Sequence, residues 1–376
     1  MTAASRTLTS VEICAGAGGQ ALGLENAGFV HTALVEIDHN ACETLRKNLA
    51  SRNPGAEIVE GDVLTYRDEV VSGKRLYAEL DLLSGGVPCP PFSMAGKQLG
   101  HQDERDLFPA MLDLIRALRP KAVMIENVRG LLQPKFRKYR QWILWRLEHS
   151  FCEGTIPGPD DALICSNHVS NGYVIHSEDE AAAHQSWQLL NACDYGVPQL
   201  RPRSVLVALQ AEYDPYFSWP EKHPENAPSV GQVLEDSMSR GGWPGAADWV
   251  RNASKIAPTL VGGSKKHGGA DLGPTRAKQA WAAMGVDAMG VANEDATPGP
   301  DTPIDHRPKL TVQQTALLQG FPPDWEITGR KTAAYRQVGN AFPPPVAEAV
   351  GRQIVLAIRS AESGQPKIDR GTQRLF

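Results

Sequence analysis

TSVEICAGAGGQALGLENAG, residues 9–28, changes its periodicity halfway along. The first part is a short apolar run that reads as a buried strand, and the last part reads as a helix closed by Gly28. Between them, Gly16, Gly18 and Ala21 fit G-x-G-x-x-A, the spacing of a turn that aims a helix N-terminus at a nucleotide. Glycines in such a place also serve tight strand–helix turns that bind nothing, so the rest of the chain must decide.

Outward from this unit the same rhythm repeats. HTALVEID reads as a strand, HNACETLRKNLASR as a helix, and AEIVEGDVL and AELDLLSGG as strands. DLFPAMLDLIRALRP then reads as a helix and KAVMIENV as a strand. Repeated βα units predict an α/β fold with a doubly wound, mostly parallel, Rossmann-like sheet. Order breaks after about residue 150, and 151–187 reads as an insertion. WQLLNACDYGVPQLRPRSVLVAL restores strand–loop–strand. From about 205 to 305 the chain is rich in Gly, Pro and Trp with little periodicity, which marks a smaller, irregular second domain. After 308 regular signals return and end in the helix PVAEAVGRQIVLAIRSAE. The expected division is 1–204 completed by 326–376, with 205–325 as second domain and hinge.

The 376 residues suit two domains. A net charge of −5 does not announce a nucleic-acid partner, so any such partner must be met by a local patch. The six cysteines, at 14, 42, 89, 152, 165 and 193, form no CxxC and suggest neither a disulfide framework nor a zinc ribbon. Cys152 and Cys165 with His168, His176 and His184 fit no metal motif, so no metal is expected. With no basic-then-apolar leader and no apolar run of about 18 residues, a soluble cytoplasmic protein is expected.

Glu36 ends the second strand twenty residues after Gly16, where a ribose-binding carboxylate belongs. Asp62 ends the third, where it can accept from an adenine amino group. An NAD enzyme and an S-adenosylmethionine enzyme look alike to this point. No Walker lysine follows the glycines, which argues against a nucleoside triphosphate. GGVPCPPFS, residues 85–93, holds Cys89 between prolines just past a strand end. Prolines fix φ, and a preorganised thiol suits a nucleophile. MIENVRG puts Glu126 at the end of the neighbouring strand. QLRPR puts Arg201 and Arg203 at alternate positions, so an extended segment points both the same way. The basic run RGLLQPKFRKYRQWILWR is either a nucleic-acid face or a solvated helix face.

Taken together, EICAGAGG, GGVPCPPFS, ENVRG, QLRPR, RPKLTVQQTALLQGFP and RQVGNAFPPPVAEAVG resemble, in order, the motifs of the DNA (cytosine-5)-methyltransferase family of bacterial or phage modification type. They cover roughly residues 10–130, 188–208 and 306–352. The resemblance implies methyl transfer from S-adenosylmethionine to C5 of cytosine at a specific duplex DNA site, with a Cys–C6 covalent intermediate, base flipping and S-adenosylhomocysteine as product. It makes Cys89 the nucleophile, Arg201 the group that helps it ionise, and Glu126 and Arg203 the groups at cytosine N3 and O2. It assigns the cofactor to Cys14, Ala15, Gly16, Gly18, Gly19, Glu36, Ile37, Asp62, Val63, Pro88, Asn340 and Ala341. It assigns DNA to Ser93, Lys97, Gln199, Thr259, Lys265 and Lys266, and makes 205–325 the target-recognition domain. A monomer, and a restriction endonuclease acting on the same site, are the implied assembly and partner. Cys14, Glu12 and Pro90 depart from the family's usual Phe, Asp and Gln. A tRNA cytosine-5 methyltransferase on the same scaffold and a non-catalytic DNA-binding relative are the alternatives.

Overall fold

The computed structural model describes residues 6–87, 106–153, 156–161, 171–174, 186–262, 270–293 and 296–367. The opening unit folds as β1 (Leu8–Ile13), then α1 (Gly19–Ala27), with Gly28 closing the helix at φ 109°. There follow β2 (Phe29–Glu36), α2 (His39–Arg52), β3 (Glu57–Glu60) and α3 (Val63–Val71). β4 (Leu82–Gly86), α4 (Phe108–Leu118), β5 (Ala122–Val128) and α5 (Arg137–Glu148) complete the winding. The expected third strand is shorter than its sequence suggests. Asp62 accepts from the Leu64 N–H as the N-cap of α3, so Val63 and Leu64 are helical.

β6 (Tyr173–Val174), β7 (Trp187–Asn191) and β8 (Pro202–Gln210) add an antiparallel edge. The sheet order is β3-β2-β1-β4-β5-β8-β6, with β7 also on β8 and β1 to β5 all parallel. Strand order reverses between β1 and β4, so a crevice opens outside their carboxyl ends. α6 (Val230–Ser239), α7 (Ala246–Asn252) and α8 (Thr275–Ala283) follow, then α9 (Val312–Gln319), α10 (Lys331–Asn340) and α11 (Pro344–Glu362).

Alternation sends residues of each strand to opposite faces. Val11, Ile13, Leu83, Val123 and Ile125 pack against α3, α4 and α5 on one face. Leu8, Leu82, Met124 and Val205 pack against α1 and α11 on the other. A third core joins the two parts of the chain: Ala17, Leu22 and Leu45 share it with Trp243, Trp249, Trp281 and Trp325. The expected boundary at 205 is therefore displaced. β8 runs through it to Gln210 inside the sheet, and Trp325 Nε1 donates to Ala17 O in the glycine turn. Close approach is what the glycines of α1 permit: a Cβ at Gly19 would lie 2.1 Å from Phe342 O, and one at Gly23 would lie 2.3 Å from Pro344 O.

His31 on β2 fastens α1 to the sheet. Its Nε2–H donates to Ala21 O and its Nδ1 accepts from Ser10 Oγ, both at 2.8 Å. Complete burial lowers its pKa from 6.5 to about 4. The unfolded chain takes up this proton near pH 6.5, so the neutral ring's stabilisation is whole above that pH. It drains as the pH falls towards 4, by about 3 kcal/mol in all. Urea unfolding at pH 7 and pH 4.5 should show most of that loss in the wild type and not in His31→Gln. An equal loss in both proteins would refute the assignment.

Candidate active site

The carboxyl ends of β2, β1 and β5 carry Glu36, Glu12 and Glu126, β4 between β1 and β5 ends at Gly86, and Asp62 follows β3. Strand register pairs Glu12 with Leu34 and Ser84, and Gly86 with Glu126. Glu36, Gly86 and Glu126 thus form one row on the α1 and α11 face, and Glu12 lies one row beneath it.

Glu126 is buried, and its Oε1 sits 2.8 Å from Arg203 Nε on β8. A side chain at Gly86 would meet Glu126 Oε2 at 3.2 Å, so this glycine leaves the carboxyl its room. Burial raises the Glu126 pKa, and Arg203 and then Arg201 pull it partly back. Desolvation outweighs the ion pair, which favours a carboxyl that holds or shares its proton. Next to it, Asn127 Nδ2 donates to Val87 O at 3.1 Å and fixes the end of the segment that leads to Cys89. Asn127 lies in a quoted motif, yet nothing local in the sequence marks it as this anchor.

Arg201 lies in the interior. It is only 1% exposed, and its N–H groups donate to Leu260 O, Gly339 O and Ala341 O at 2.7, 2.8 and 2.9 Å. Its charge reaches Glu126, but its hydrogen bonds hold three backbone segments together. Gln199, expected on DNA, is fully buried. It donates to Leu318 O and Gln319 Oε1 and accepts from Leu260 N–H, so it cannot meet a duplex. Thr259 donates to Leu200 O and is part-exposed.

On the other side of the crevice, Glu36 Oε2 accepts from Gly16 N–H at 2.8 Å, and its Oε1 accepts from Ile37 and Asp38 N–H. Ile37 is 68% exposed, an apolar platform beside that carboxylate. Asp62 spends Oδ1 on Leu64 N–H and faces solvent. Gly16, at φ 55°, has nothing within 4 Å of where a Cβ would stand. Gly18 differs, because its Cβ would strike Leu45 and Trp325 at 2.8 and 2.9 Å. Ala15 and Val63 are buried in the cores, Ala341 offers its carbonyl to Arg201, and Asn340 is exposed beside Gly262. Among the described residues, Glu12 Oε2 and both amide atoms of Gln20 are buried without a partner. Burial, then Glu36 and Glu126, drive the Glu12 pKa up, which keeps it neutral. Cys14, at φ 54°, has its thiol pushed up by burial and by Glu36, Glu12 and Asp62, so it stays protonated. An open turn, an exposed apolar platform, two acceptors and unpartnered buried polar atoms fit a nucleoside ligand with a polar tail.

Cys89, Pro88, Ser93, Lys97, Lys265 and Lys266 lie outside the described residues, as do Cys165, His168, His176 and His184. His39, Glu43 and Glu60 are the described set near enough to share an ion, and Arg46 pairs with both glutamates instead. In the basic run, Arg140 and Arg146 are buried on Leu131 O and Asp113. The region between β8 and α9 holds α6, whose Ser229–Gln232 capping box was the signal available in the sequence.

Residues 8–150 and 164–356 match the family described as C-5 cytosine-specific DNA methylase. The chain is 51% identical to the Type II methyltransferase M.NaeI of Lentzea aerocolonigenes, over 96% of this chain and 78% of that one. It is 47% identical to the Type II methyltransferase M.NgoMIV of Neisseria gonorrhoeae, over 93% and 98%. In fold it is similar to the Entamoeba histolytica methyltransferase EhMeth, with a TM-score of 0.57 at 13% identity over 93% of this chain and 98% of that one. It is likewise similar to the S. pombe Dnmt2 methyltransferase, with a TM-score of 0.53 at 14% identity over 95% and 99%.

The two arginines should separate in an unfolding experiment. Arg201→Ala strands three buried carbonyls from two segments and should cost about 3 kcal/mol or more. Arg203→Ala leaves a carboxyl that can take up a proton and should cost less than half as much. Equal urea midpoints for the two variants would remove Arg201 from its holding role.

Proposed function

The chain belongs to the C-5 cytosine-specific DNA methylase family, and from that premise we propose that it methylates C5 of a cytosine in one specific duplex DNA sequence, with Cys89 as covalent nucleophile and the target base turned out of the helix. The observation that carries this reading is the buried Glu126–Arg203 pair, 2.8 Å apart at the crevice where β4 delivers the chain to Cys89. Covalent geometry keeps the Cys89 Cα within about 7 Å of the Val87 Cα, and Asn127 holds the Val87 carbonyl.

Cytosine C5 is a poor carbon nucleophile. Addition of the Cys89 thiolate to C6 breaks the ring's aromaticity and gives C5 enamine character. The electron pair displaced from the ring moves towards N3 and O2. Burial raises the Glu126 pKa, so its carboxyl can donate to N3 in the protonated form, and Arg203 brings positive charge to O2. Glu126 recovers its proton when the C5 proton has left and the C6–S bond breaks. Cys14 offers no competing nucleophile, because its thiol is held protonated.

S-adenosylmethionine, when bound, supplies the methyl group as an electrophilic sulfonium carbon. Glu36 is placed to receive ribose hydroxyls, Asp62 an adenine amino group and Ile37 an adenine face, with the Gly16 turn, Glu12 and Gln20 near the polar tail. The Type II relatives support a restriction endonuclease acting on the same DNA site as the partner.

DNA carrying 5-fluorocytosine at the target cannot lose its C5 substituent, so it should yield a denaturant-resistant adduct with the wild type and none with Cys89→Ser. No adduct from the wild type, under conditions where ordinary DNA is methylated, would end the covalent reading.

Glu126→Gln keeps the side chain's size but cannot lend a proton and take it back. Its single-turnover methylation should fall by about 3 kcal/mol, on the order of a hundredfold, with S-adenosylmethionine affinity unchanged. A near-normal rate would remove Glu126 from the chemistry. A rate lost together with cofactor affinity would move it to the cofactor pocket.

A further inference from the structure

The region between β8 and α9 is acidic as a whole, yet its charge is segregated. Residues 251–286 hold six lysines and arginines against the single acid Asp271. The flanking stretches 205–250 and 287–305 hold twelve acids against two bases. Along the sequence, this leaves one basic stretch for a polyanion to meet.

Within that stretch, helix α8 stands with Trp281 fully buried in the shared core and Leu272 buried before its first turn. Arg276, Gln279, Ala280 and Ala283 are exposed at i, i+3, i+4 and i+7, so they form one stripe away from that anchor. Lys278 pairs with Asp271 at 2.8 Å, whereas Arg276 makes no ion pair among the described residues. The stripe carries no acid, and its alanines let a groove floor approach.

The helix is also indexed to the active site. A Cβ at Gly273, just ahead of α8, would touch Val261 Cγ2 at 3.4 Å. The backbone of Val261 and Gly262 lies against Gly339, where a Cβ would fall 2.3 Å from Gly262 N. Arg201 ties Leu260 O and Gly339 O together at 2.7 and 2.8 Å, two residues before Arg203.

We propose that this stripe of α8 reads the DNA sequence from the major groove, with Arg276 on the O6 and N7 edge of a guanine and Gln279 on a neighbouring base. An α-helix fits that groove, and Arg and Gln are the side chains that recognise guanine and adenine edges bidentately. The proposal rests on the reading of the chain as a duplex DNA cytosine methyltransferase and names the residues that choose its site.

The experiment is bisulfite sequencing of DNA from cells expressing the wild type, Arg276→Ala, Arg276→Lys or Gln279→Ala, with single-turnover rates on the wild-type site and on sites changed at one base pair. Arg276→Ala should lose discrimination at one position by about ten- to a hundredfold, with methylation spreading to sites altered there. Arg276→Lys keeps the charge but not the fork, and should relax the same position. Gln279→Ala should relax a neighbouring one. If Arg276→Ala slows methylation equally at every site, and Arg276→Lys restores it, the residue only neutralises phosphate and the proposal is overturned. Unchanged sites and rates in all variants overturn it too, while the wild-type methylation leaves the cytosine reading intact. A wild type that methylates no duplex cytosine overturns both.

Discussion

Three backbone carbonyls from two distant parts of the chain, Leu260 in one and Gly339 and Ala341 in the other, converge on the guanidinium of Arg201. A buried cation is costly unless its donors are taken up; here backbone oxygens take three of them, and Nε has no partner among the described residues. Gln199, two residues earlier, ties Leu260 and the end of α9 in the same way. The segment entering β8 is thus a buried seam on which the region between β8 and α9, the C-terminal helices and the sheet all close. One short peptide therefore ties Leu260 and the end of α10 to Arg203 and Glu126.

The glycine turn serves two demands that share one spacing. Gly16 leaves space above the turn and gives its N–H to Glu36, which is what a ligand-facing position needs. Gly18 and Gly19 are glycines because α2, Trp325 and the peptide before α11 press against them. A G-x-G-x-x-A pattern read alone credits the ligand with all of this. The structure divides the credit, and the larger share goes to packing of the C-terminal block over α1.

This division explains what was legible. The strand and helix rhythm of residues 8–128 was plain because apolar periodicity is local, and it predicted the parallel sheet and the strand-end places of Glu36 and Glu126. The whole of α3 was missed, because its first apolar residues continue those of β3 and only the Asp62 cap separates them. Arg201 and Arg203 have the same pattern and opposite fates. Arg203 finds its partner on the adjacent strand, whereas those of Arg201 lie 59, 138 and 140 residues away. Gln199 was placed on DNA for the same reason, since nothing within its own motif reveals a partner 120 residues on. Helices α7 and α8 give little local periodicity, since α7 buries only Ala246 and Trp249 and α8 only Trp281, whereas α6 does carry a stripe, Val230, Leu234 and Met238 at i, i+4 and i+8.

The acids beneath the crevice pose the last physical question: how a sheet tolerates Glu12, Glu36 and Glu126 on one face. Each is accommodated differently. Glu36 is surrounded by three backbone N–H groups and needs no cation. Glu126 has Arg203 on one oxygen and burial working against its charge. Glu12 has neither, and the two neighbouring carboxyls oppose its ionisation, so it stays neutral. The face therefore carries less charge than its three acids suggest, and what remains is concentrated at the rim.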